Sequence, residues 1–336
     1  MAKKITSKNV AEIAGVSQSA VSRTFTPGAS VSPKTREKVL KVANCLGYRP
    51  NAIARSLSTQ RTYLVGLVVP RMQEPFYAEV LHRFTIQLQK RRYATFLLNA
   101  FDGGSVDSVV STAQRYQVEG LICASVTISS SFAEHCAQYG LPLVMFHRFP
   151  EQSEKTNIVR CDHFAGGRLL AEALVDAGHR RIAFLGGAES SSTSREREKG
   201  FIDGLAGRGV QLWDREQVAT YEYGDGYQIA RGMLQRENRP DAIFAFNDIM
   251  AMATIDCARD LGIAVPDALS VVGFDGIAEG QWAAYRLTTI RQPIEDMVNA
   301  SVDMLLNAVA SPDAGFAARV FPGEFIRGGS ARLVCP

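Results

Sequence analysis

Several short β-rich runs in this chain are followed at once, or within a few residues, by polar or aromatic side chains. Phe76 and Tyr77 follow YLVGLVV, Arg148 follows PLVMFH, and Asp162 closes NIVRCD. Further along, Thr193 and Arg197 follow RIAFLGG, Tyr223 ends VATYEY, Asn247 and Asp248 follow AIFAF, and Asp275 ends SVVGFD. Aspartate, asparagine and arginine bracket vicinal hydroxyls with forked hydrogen bonds, so the set fits a sugar or a sugar-derived acid. Simpler roles compete: Asp248 as a helix cap, an Arg148–Asp162 ion pair, Tyr223 as core or rim. Catalysis is poorly represented. The chain has no GxSxG elbow, no GxxxxGK[ST] loop, no HExxH and no glycine fingerprint after a strand. The five histidines (82, 135, 147, 163, 179) are separated, and the six cysteines lack a CxxC, so reduced thiols are expected, with no metal site and no cofactor.

A second set lies at the amino end. Residues 1–61 hold eleven Lys/Arg against Glu12 and Glu37, a net +9, whereas the remaining 26 bases and 32 acids give −6. A basic module on an acidic body is the footprint of an end that meets a polyanion. Charge alone leaves DNA, RNA and anionic lipid open.

The elements that must carry these groups are legible from caps and periodicity. Val10, Ala11, Ile13 and Ala14 mark one helical face before Gly15 permits a turn. Ser17 then caps a second helix in which Ala20, Val21 and Thr24 face inward while Gln18, Ser19, Ser22 and Arg23 face outward. Ser32 and Pro33 start a third helix that stops at Gly47. This is a helix-turn-helix closed by a third helix. The stretch RPNAIARSLSTQRT holds a helix too short to be stable alone, so it folds only against something else. From residue 63 onward, ten strand candidates alternate with amphipathic helical runs, too many for one comfortable sheet; two α/β lobes with a break near Cys161 and Asp162 are predicted. The apolar runs are shorter than the roughly 18 residues of a membrane span, and MAKKITSKNVAE lacks an apolar export signal, so the expected location is the cytoplasm.

The run VAEIAGVSQSAVSR, continued by VSPKTREKVLKVANCLGYRPNAIARSLSTQRT, resembles the DNA-binding head of the LacI/GalR (lactose-repressor) family of bacterial transcription regulators. The order of strands and helices resembles the periplasmic-binding-protein type I body of that family. The fold this implies is an all-α helix-turn-helix head plus an α/β body of two doubly wound parallel-sheet lobes. Its expected boundaries are 1–49 for the head, 50–62 for a hinge helix and linker, and 63–336 for an effector-binding and dimerisation domain. Lobe 1 would comprise 63–161 and 293–318, and lobe 2 162–292 and 319–336.

The resemblance also implies roles. Gln18, Ser19 and Arg23 would meet base edges in the major groove, where Gln suits adenine and Arg suits guanine, and Thr6, Ser17, Ser32 and Thr35 would hold phosphates. Leu57 would wedge into a central base step from a hinge helix packed at Ala54. Arg197, Asn247 and Asp275 match recurrent effector contacts, and Phe76 or Tyr77 would stack on the ligand. Related bodies also bind nucleobases, and Ser191 stands where some members place an arginine. The function implied is a sequence-specific DNA-binding transcriptional regulator, most often a repressor. Its partners would be a palindromic operator in double-stranded DNA, a small-molecule effector and a second copy in a homodimer, with no membrane. The competing readings are a cytoplasmic solute receptor and a sugar-modifying enzyme without a DNA role; residues 1–60 and the absence of an export signal argue against the receptor.

Overall fold

In a computed structural model of the chain, the described residues are 5–26, 28–51, 56, 61–69, 72–99, 106–124, 130–149, 156–218, 221–313 and 315–334. Ala54 and Leu57 lie outside them. The chain divides after Thr62 into two compact units.

The first unit is built on three helices, α1 (Ser7–Ala14), α2 (Gln18–Phe25) and α3 (Pro33–Leu46). Each starts on a hydroxyl: Thr6 Oγ1 accepts from Asn9 N, Ser17 Oγ from Ala20 N, and Ser32 Oγ from Thr35 N. These bonds satisfy donors that the first helical turn leaves orphaned. Gly15 and Gly47 end α1 and α3 at φ +58° and +65°, where a Cβ would be strained. The core is Val10, Ala11, Ala14, Val21, Val39 and Ala43, with Phe25 and Tyr48 edge to face at 5.8 Å. Ile13, expected on the inward face, is 61% exposed. The buried stripe of α1 runs through positions 10, 11 and 14, and position 13 falls on its flank.

The second unit carries two six-stranded sheets. The first contains β1 (Leu64–Val69), β2 (Ala94–Asn99), β3 (Gly120–Ala124), β4 (Leu143–Phe146), β5 (Asn157–Cys161) and β11 (Ala318–Phe321), in the order β11-β5-β4-β3-β1-β2, all parallel. The second contains β6 (Ile182–Gly186), β7 (Asp214–Gln217), β8 (Ala242–Ala245), β9 (Ser270–Asp275), β10 (Thr288–Arg291) and β12 (Glu324–Ile326), in the order β12-β10-β9-β8-β6-β7. Among the described residues only the β10–β12 pair there is antiparallel. The helices used below are α4 (Pro75–Lys90), α7 (His163–Asp176), α8 (Ser192–Gly207), α9 (Tyr223–Leu234), α10 (Asp248–Asp260) and α11 (Ile294–Ala310), with α5 (Val106–Arg115) and α6 (Ser130–Gln138) on the first sheet's side. Continuous buried runs such as LVGLVV and SVVGFD are what a parallel sheet covered on both faces requires.

Two boundaries differ from the sequence reading. The seventh strand is Asp214–Gln217, not VATYEY. It is an edge strand whose charged side chains are held by ion pairs, Arg215 with Glu198 and Arg236 with Asp214 and Glu216. Such pairing lets a segment without apolar character occupy a sheet edge. The return to the second lobe comes at Pro322–Gly323 rather than after 318, because Ala318–Phe321 pairs with β5 in the first sheet. The chain thus passes between the sheets at Asp162, at Gln292–Pro293 and at Pro322–Gly323.

Two glycines set the packing that matters for the site. A Cβ at Gly167 would lie 2.2 Å from the Arg197 carbonyl oxygen, and one at Gly200 would lie 2.0 Å from that of Phe164. Only bare backbone allows α7 and α8 to cross this closely.

Candidate functional site

The head presents a polar face. Gln18, Ser19 and Arg23 are exposed on α2, Ser19 and Arg23 one turn apart. Gln18 Nε2 donates to Ser7 Oγ at 2.9 Å, and the Arg23 guanidinium rests against Ser19, its Nε donating to the Ser19 carbonyl at 3.4 Å. Thr6, Ser17, Ser32 and Thr35 all sit at helix starts, where backbone N–H groups and the helix dipole favour an anion. Ser32 Oγ also donates to Thr35 Oγ1 at 2.8 Å. Arg36 Nη1 donates to the Thr24 carbonyl at 2.8 Å, tying α3 to the end of α2.

In the second unit the strand-end residues converge where the chain passes between the two sheets. Arg197, on α8, is 1% exposed. It reaches past the start of α7, donating from Nη2 to Asp275 Oδ1 at 2.9 Å, from Nη1 to the Phe246 carbonyl at 2.6 Å, and from Nε to His163 Nδ1 at 3.3 Å. Its guanidinium carbon lies 3.9 Å from the centre of the Phe274 ring. Gln292, at a crossing, donates from Nε2 to the same Asp275 oxygen at 2.8 Å and accepts through Oε1 from His147 Nδ1 at 3.2 Å. Phe76 lies against His147 (4.8 Å between centroids), and His147 against His163 (5.1 Å). Residues from the ends of β4 and β9, the starts of α4 and α7, α8 and one crossing are therefore in a single connected network.

Backbone strain marks the same place. Asp275 has φ +131° and His147 φ +71°, both uncommon for residues with a Cβ. Gly276 follows at φ +73°, so close to Arg291 that a Cβ would sit 2.5 Å from its Cα. Asp248, fully buried, holds this turn by accepting from Gly276 N at 2.8 Å, Ile277 N at 2.9 Å and Thr289 Oγ1 at 2.6 Å. Burial, reinforced by the nearby Asp275 charge, pushes the Asp248 carboxyl up to about 7. The helix cap expected of Asp248 is supplied by Asn247, whose Oδ1 accepts from Met250 N at 2.9 Å.

Burial also holds both histidines neutral. His147 and His163 titrate well below the usual histidine value, because desolvation and the neighbouring Arg197 charge disfavour the imidazolium; Arg148 adds to this at His147. Burial raises the Asp275 carboxyl, with Arg197 and Gln292 opposing. Beside this network is a cavity of about 730 Å³ that shares Phe76, Asp275 and Gln292 with it and is otherwise bounded by Glu79, Arg83, Arg291 and Glu295, among others.

The remaining predicted residues divide. Thr193 is buried at the start of α8, its hydroxyl 2.9 Å from that of Ser191. Tyr77 is buried edge-on to Phe76. Arg148 lies with its guanidinium carbon 5.2 Å from the Tyr221 ring centre. Asp162 forms no pair with Arg148; it caps α7, accepting from Ala165 N at 2.9 Å. Tyr223 is not at the network either. It is 42% exposed, and its hydroxyl donates to Asp256 Oδ2 at 2.6 Å. Tyr221 takes the inward place, its ring 5.3 Å from that of Phe246. The displacement follows from the strand ending at Gln217 instead of Tyr223. His147, His163, Gln292 and Tyr221 were not among the expected binding residues, although each lies within two positions of one that was or at the expected third crossing.

Comparison with known proteins agrees with this division. Residues 6–51 match the family model described as bacterial regulatory proteins, lacI family, and residues 171–331 match a periplasmic binding protein-like domain. The chain is 32% identical over 315 residues to an HTH-type transcriptional repressor PurR of Mannheimia succiniciproducens, covering 92% of this chain and 93% of that protein. Its fold superposes on the lac repressor dimer bound to operator with TM-score 0.88 and 26% identity, covering 98% and 99% of the two chains. It also superposes on a transcriptional regulator CelR–cellobiose complex with TM-score 0.75 and 27% identity, covering 97% and 100%. With a helix-turn-helix head, a periplasmic-binding-protein-like body of parallel sheets and repressors as relatives, this chain belongs to the LacI family of transcriptional repressors.

Proposed function

We propose that this repressor binds a palindromic operator as a homodimer and that a sugar or sugar acid, held where the two lobes meet, sets its operator affinity. The observation that carries this reading is the network Phe76–His147–Gln292–Asp275–Arg197, because it links the first sheet, a crossing and the second sheet in one chain of contacts. A ligand that inserts there replaces those contacts, and the angle between lobes changes with it. The solved CelR relative carries cellobiose, and the lac repressor relative is a dimer on operator, which supports both halves of the reading.

On DNA, α2 lies in the major groove with Gln18, Ser19 and Arg23 at base edges, while Thr6, Ser17, Ser32 and Thr35 position the head on phosphates. Ala54 and Leu57 complete the contact in the minor groove as the hinge folds. In the body, Phe76, Tyr77, Arg148, Thr193, Arg197, Asn247 and Asp275 surround the ligand, joined by His147, His163, Tyr221 and Gln292. Asp162 and Tyr223 serve as a cap and as a partner of Asp256.

The test starts from duplexes selected out of a random pool by the full-length protein. Fluorescence anisotropy on the selected site, repeated with sugars and sugar acids, should show affinity changing by about 5- to 150-fold with the right ligand, a coupling of about 1–3 kcal/mol. A selected pool without two-fold symmetry, or a site whose occupancy responds to no member of the panel, refutes the reading.

A further inference from the structure

We infer that Asp248, although fully buried, is a positioning residue for the effector: its carboxyl fixes the turn that presents Asp275. This rests on the cleft being the effector site proposed above, and it adds a residue that sets the site without touching the ligand.

The turn needs holding. Asp275 ends β9 at φ +131° and Gly276 continues at φ +73°, and a residue with a Cβ stays in that region only where its surroundings over-determine it. Asp275 is also a hub: its Oδ1 accepts from Arg197 Nη2 at 2.9 Å and Gln292 Nε2 at 2.8 Å, and its carbonyl accepts from Gln292 N at 3.1 Å. Asp248 supplies the hold from beneath. Its Oδ2 accepts from the two N–H groups that directly follow Asp275, Gly276 N at 2.8 Å and Ile277 N at 2.9 Å. Its Oδ1 accepts from Thr289 Oγ1 at 2.6 Å, at the β10 position that pairs with Gly273. One carboxyl thus ties the strand end that carries Asp275 to the strand that leads to Gln292. Gly273 makes room for it, since a Cβ there would lie 2.4 Å from Oδ1.

Simpler roles account for it less well. The cap of α10 is already supplied by Asn247. For stability alone an apolar side chain suits a fully buried position better, because a buried carboxyl must recover its lost hydration through hydrogen bonds. Each side-chain hydrogen bond of Asp248 among the described residues goes to the turn or to β10. The grip does not depend on charge. Burial pushes the carboxyl up to about 7, and the neutral acid keeps the geometry, with Oδ2 accepting from both N–H groups while a protonated Oδ1 donates to Thr289 Oγ1. A carboxamide does the same with its oxygen toward Gly276 and Ile277 and its Nδ2 toward Thr289. Alanine offers nothing to either, so Asn and Ala at this position separate the grip from the charge.

The experiment is titration calorimetry of the full-length protein with cellobiose, D-glucose, D-gluconate, D-galacturonate and D-glucuronate. The tightest of these is then titrated into Asp248→Ala, Asp248→Asn, Asp275→Ala and the double variant Asp248→Ala/Asp275→Ala, with thermal unfolding confirming that each is folded. Asp248→Ala should weaken binding roughly 10- to 100-fold, and Asp248→Asn by less than about 3-fold. In the Asp275→Ala background, Asp248→Ala should cost almost nothing further, because the group it positions is gone. Hydrogen exchange of residues 273–280 should quicken by at least about 10-fold in Asp248→Ala and stay slow in Asp248→Asn. If the alanine variant does not fold, Asp248→Ser, whose hydroxyl is too short to reach the turn, takes its place under the same criteria. Equal losses in the two backgrounds would make Asp248 a general support of the fold and overturn the positioning role. Native-like binding by Asp248→Ala, or an Asn variant as weak as the Ala one, overturns it as well, and each of these leaves the effector cleft standing. If no probe binds the native protein, the sugar reading of the cleft falls and the effector role of Asp248 falls with it.

Discussion

Neutral histidines buried beside two arginines make the body sensitive to acid, and the sensitivity can be worked out. His147 and His163 titrate well below 6.5 in the folded chain and near 6.5 once unfolded. Between pH 5 and 6 the unfolded state therefore binds a proton at each that the folded state does not. Stability rises with pH wherever unfolding takes up protons, so each histidine contributes a slope of about 1.4 kcal/mol per pH unit in that window, fading above 6.5. Asp248 acts in the opposite sense, and so does Asp275, whose carboxyl is also raised by burial. The Asp248 carboxyl is raised to about 7 when folded, so the folded state holds a proton there that the unfolded state releases above the ordinary carboxylate value. That contribution is full at low pH and is lost as pH rises through about 7, offsetting the slope of one histidine. The perturbation we choose is His147→Asn and His163→Asn separately, since Asn at 163 keeps an acceptor for Arg197 Nε. Urea unfolding at pH 5.0, 5.5, 6.0 and 7.5 gives the slope, and each variant should lose about 1.4 kcal/mol per pH unit of it between 5 and 6. The absolute cost of each substitution cancels in this comparison. A variant with the native slope would show that the imidazole it removed already binds a proton in the folded state, and the tautomers assigned to the network would fall with it.

Three further outcomes follow from packing and charge. Gly200→Ala places a Cβ 2.0 Å from a backbone oxygen that cannot rotate away, whereas Gly232→Ala on α9 meets nothing within 4 Å; the first should destabilise by about 1–3 kcal/mol and the second stabilise by about 0.5–1 kcal/mol in urea unfolding, and equal signs would remove the close-crossing argument. Operator affinity should fall linearly in log–log with salt, at a slope of about −0.9 per phosphate contact. Arg23→Ala should cost about 1–3 kcal/mol on the selected site with little change in that slope, since a base contact releases few counterions; a loss equal on random duplex would make it a phosphate contact. Leu57→Ala should weaken the selected site far more than random duplex in the same anisotropy assay, and equal losses would show that it does not wedge.

The head was legible because its signals are local. A hydroxyl cap, the polar face it precedes and the glycine that ends a helix lie within a few residues of one another, and Ser17, Ser32, Gly15 and Gly47 all stand where such reasoning puts them. The body's strands were legible where burial on both faces writes an apolar run, and illegible at Asp214–Gln217, where an edge strand is held by Arg236 and Glu198 and carries no apolar signature. That one misplaced strand moved the expected aromatic from Tyr221 to Tyr223.

The site shows a deeper reason for the rest. His147 and His163 stand 16 positions apart with a strand between them, no motif joins them, and Gln292 is another 129 residues along. A rule that looks for ligands after strand ends finds Arg148, Arg197 and Asp275, because the sheet alone places them. It does not find groups brought together by the chain's passage from one sheet to the other, since that passage is a property of topology and not of any local pattern. His163 and Gln292 sit at those passages, whereas His147 directly follows β4 within the first sheet, beside Arg148. In the switch proposed above, a change of angle between lobes is sensed where the lobes join, and His163 and Gln292, which no local pattern singles out, hold contacts that such a movement would break.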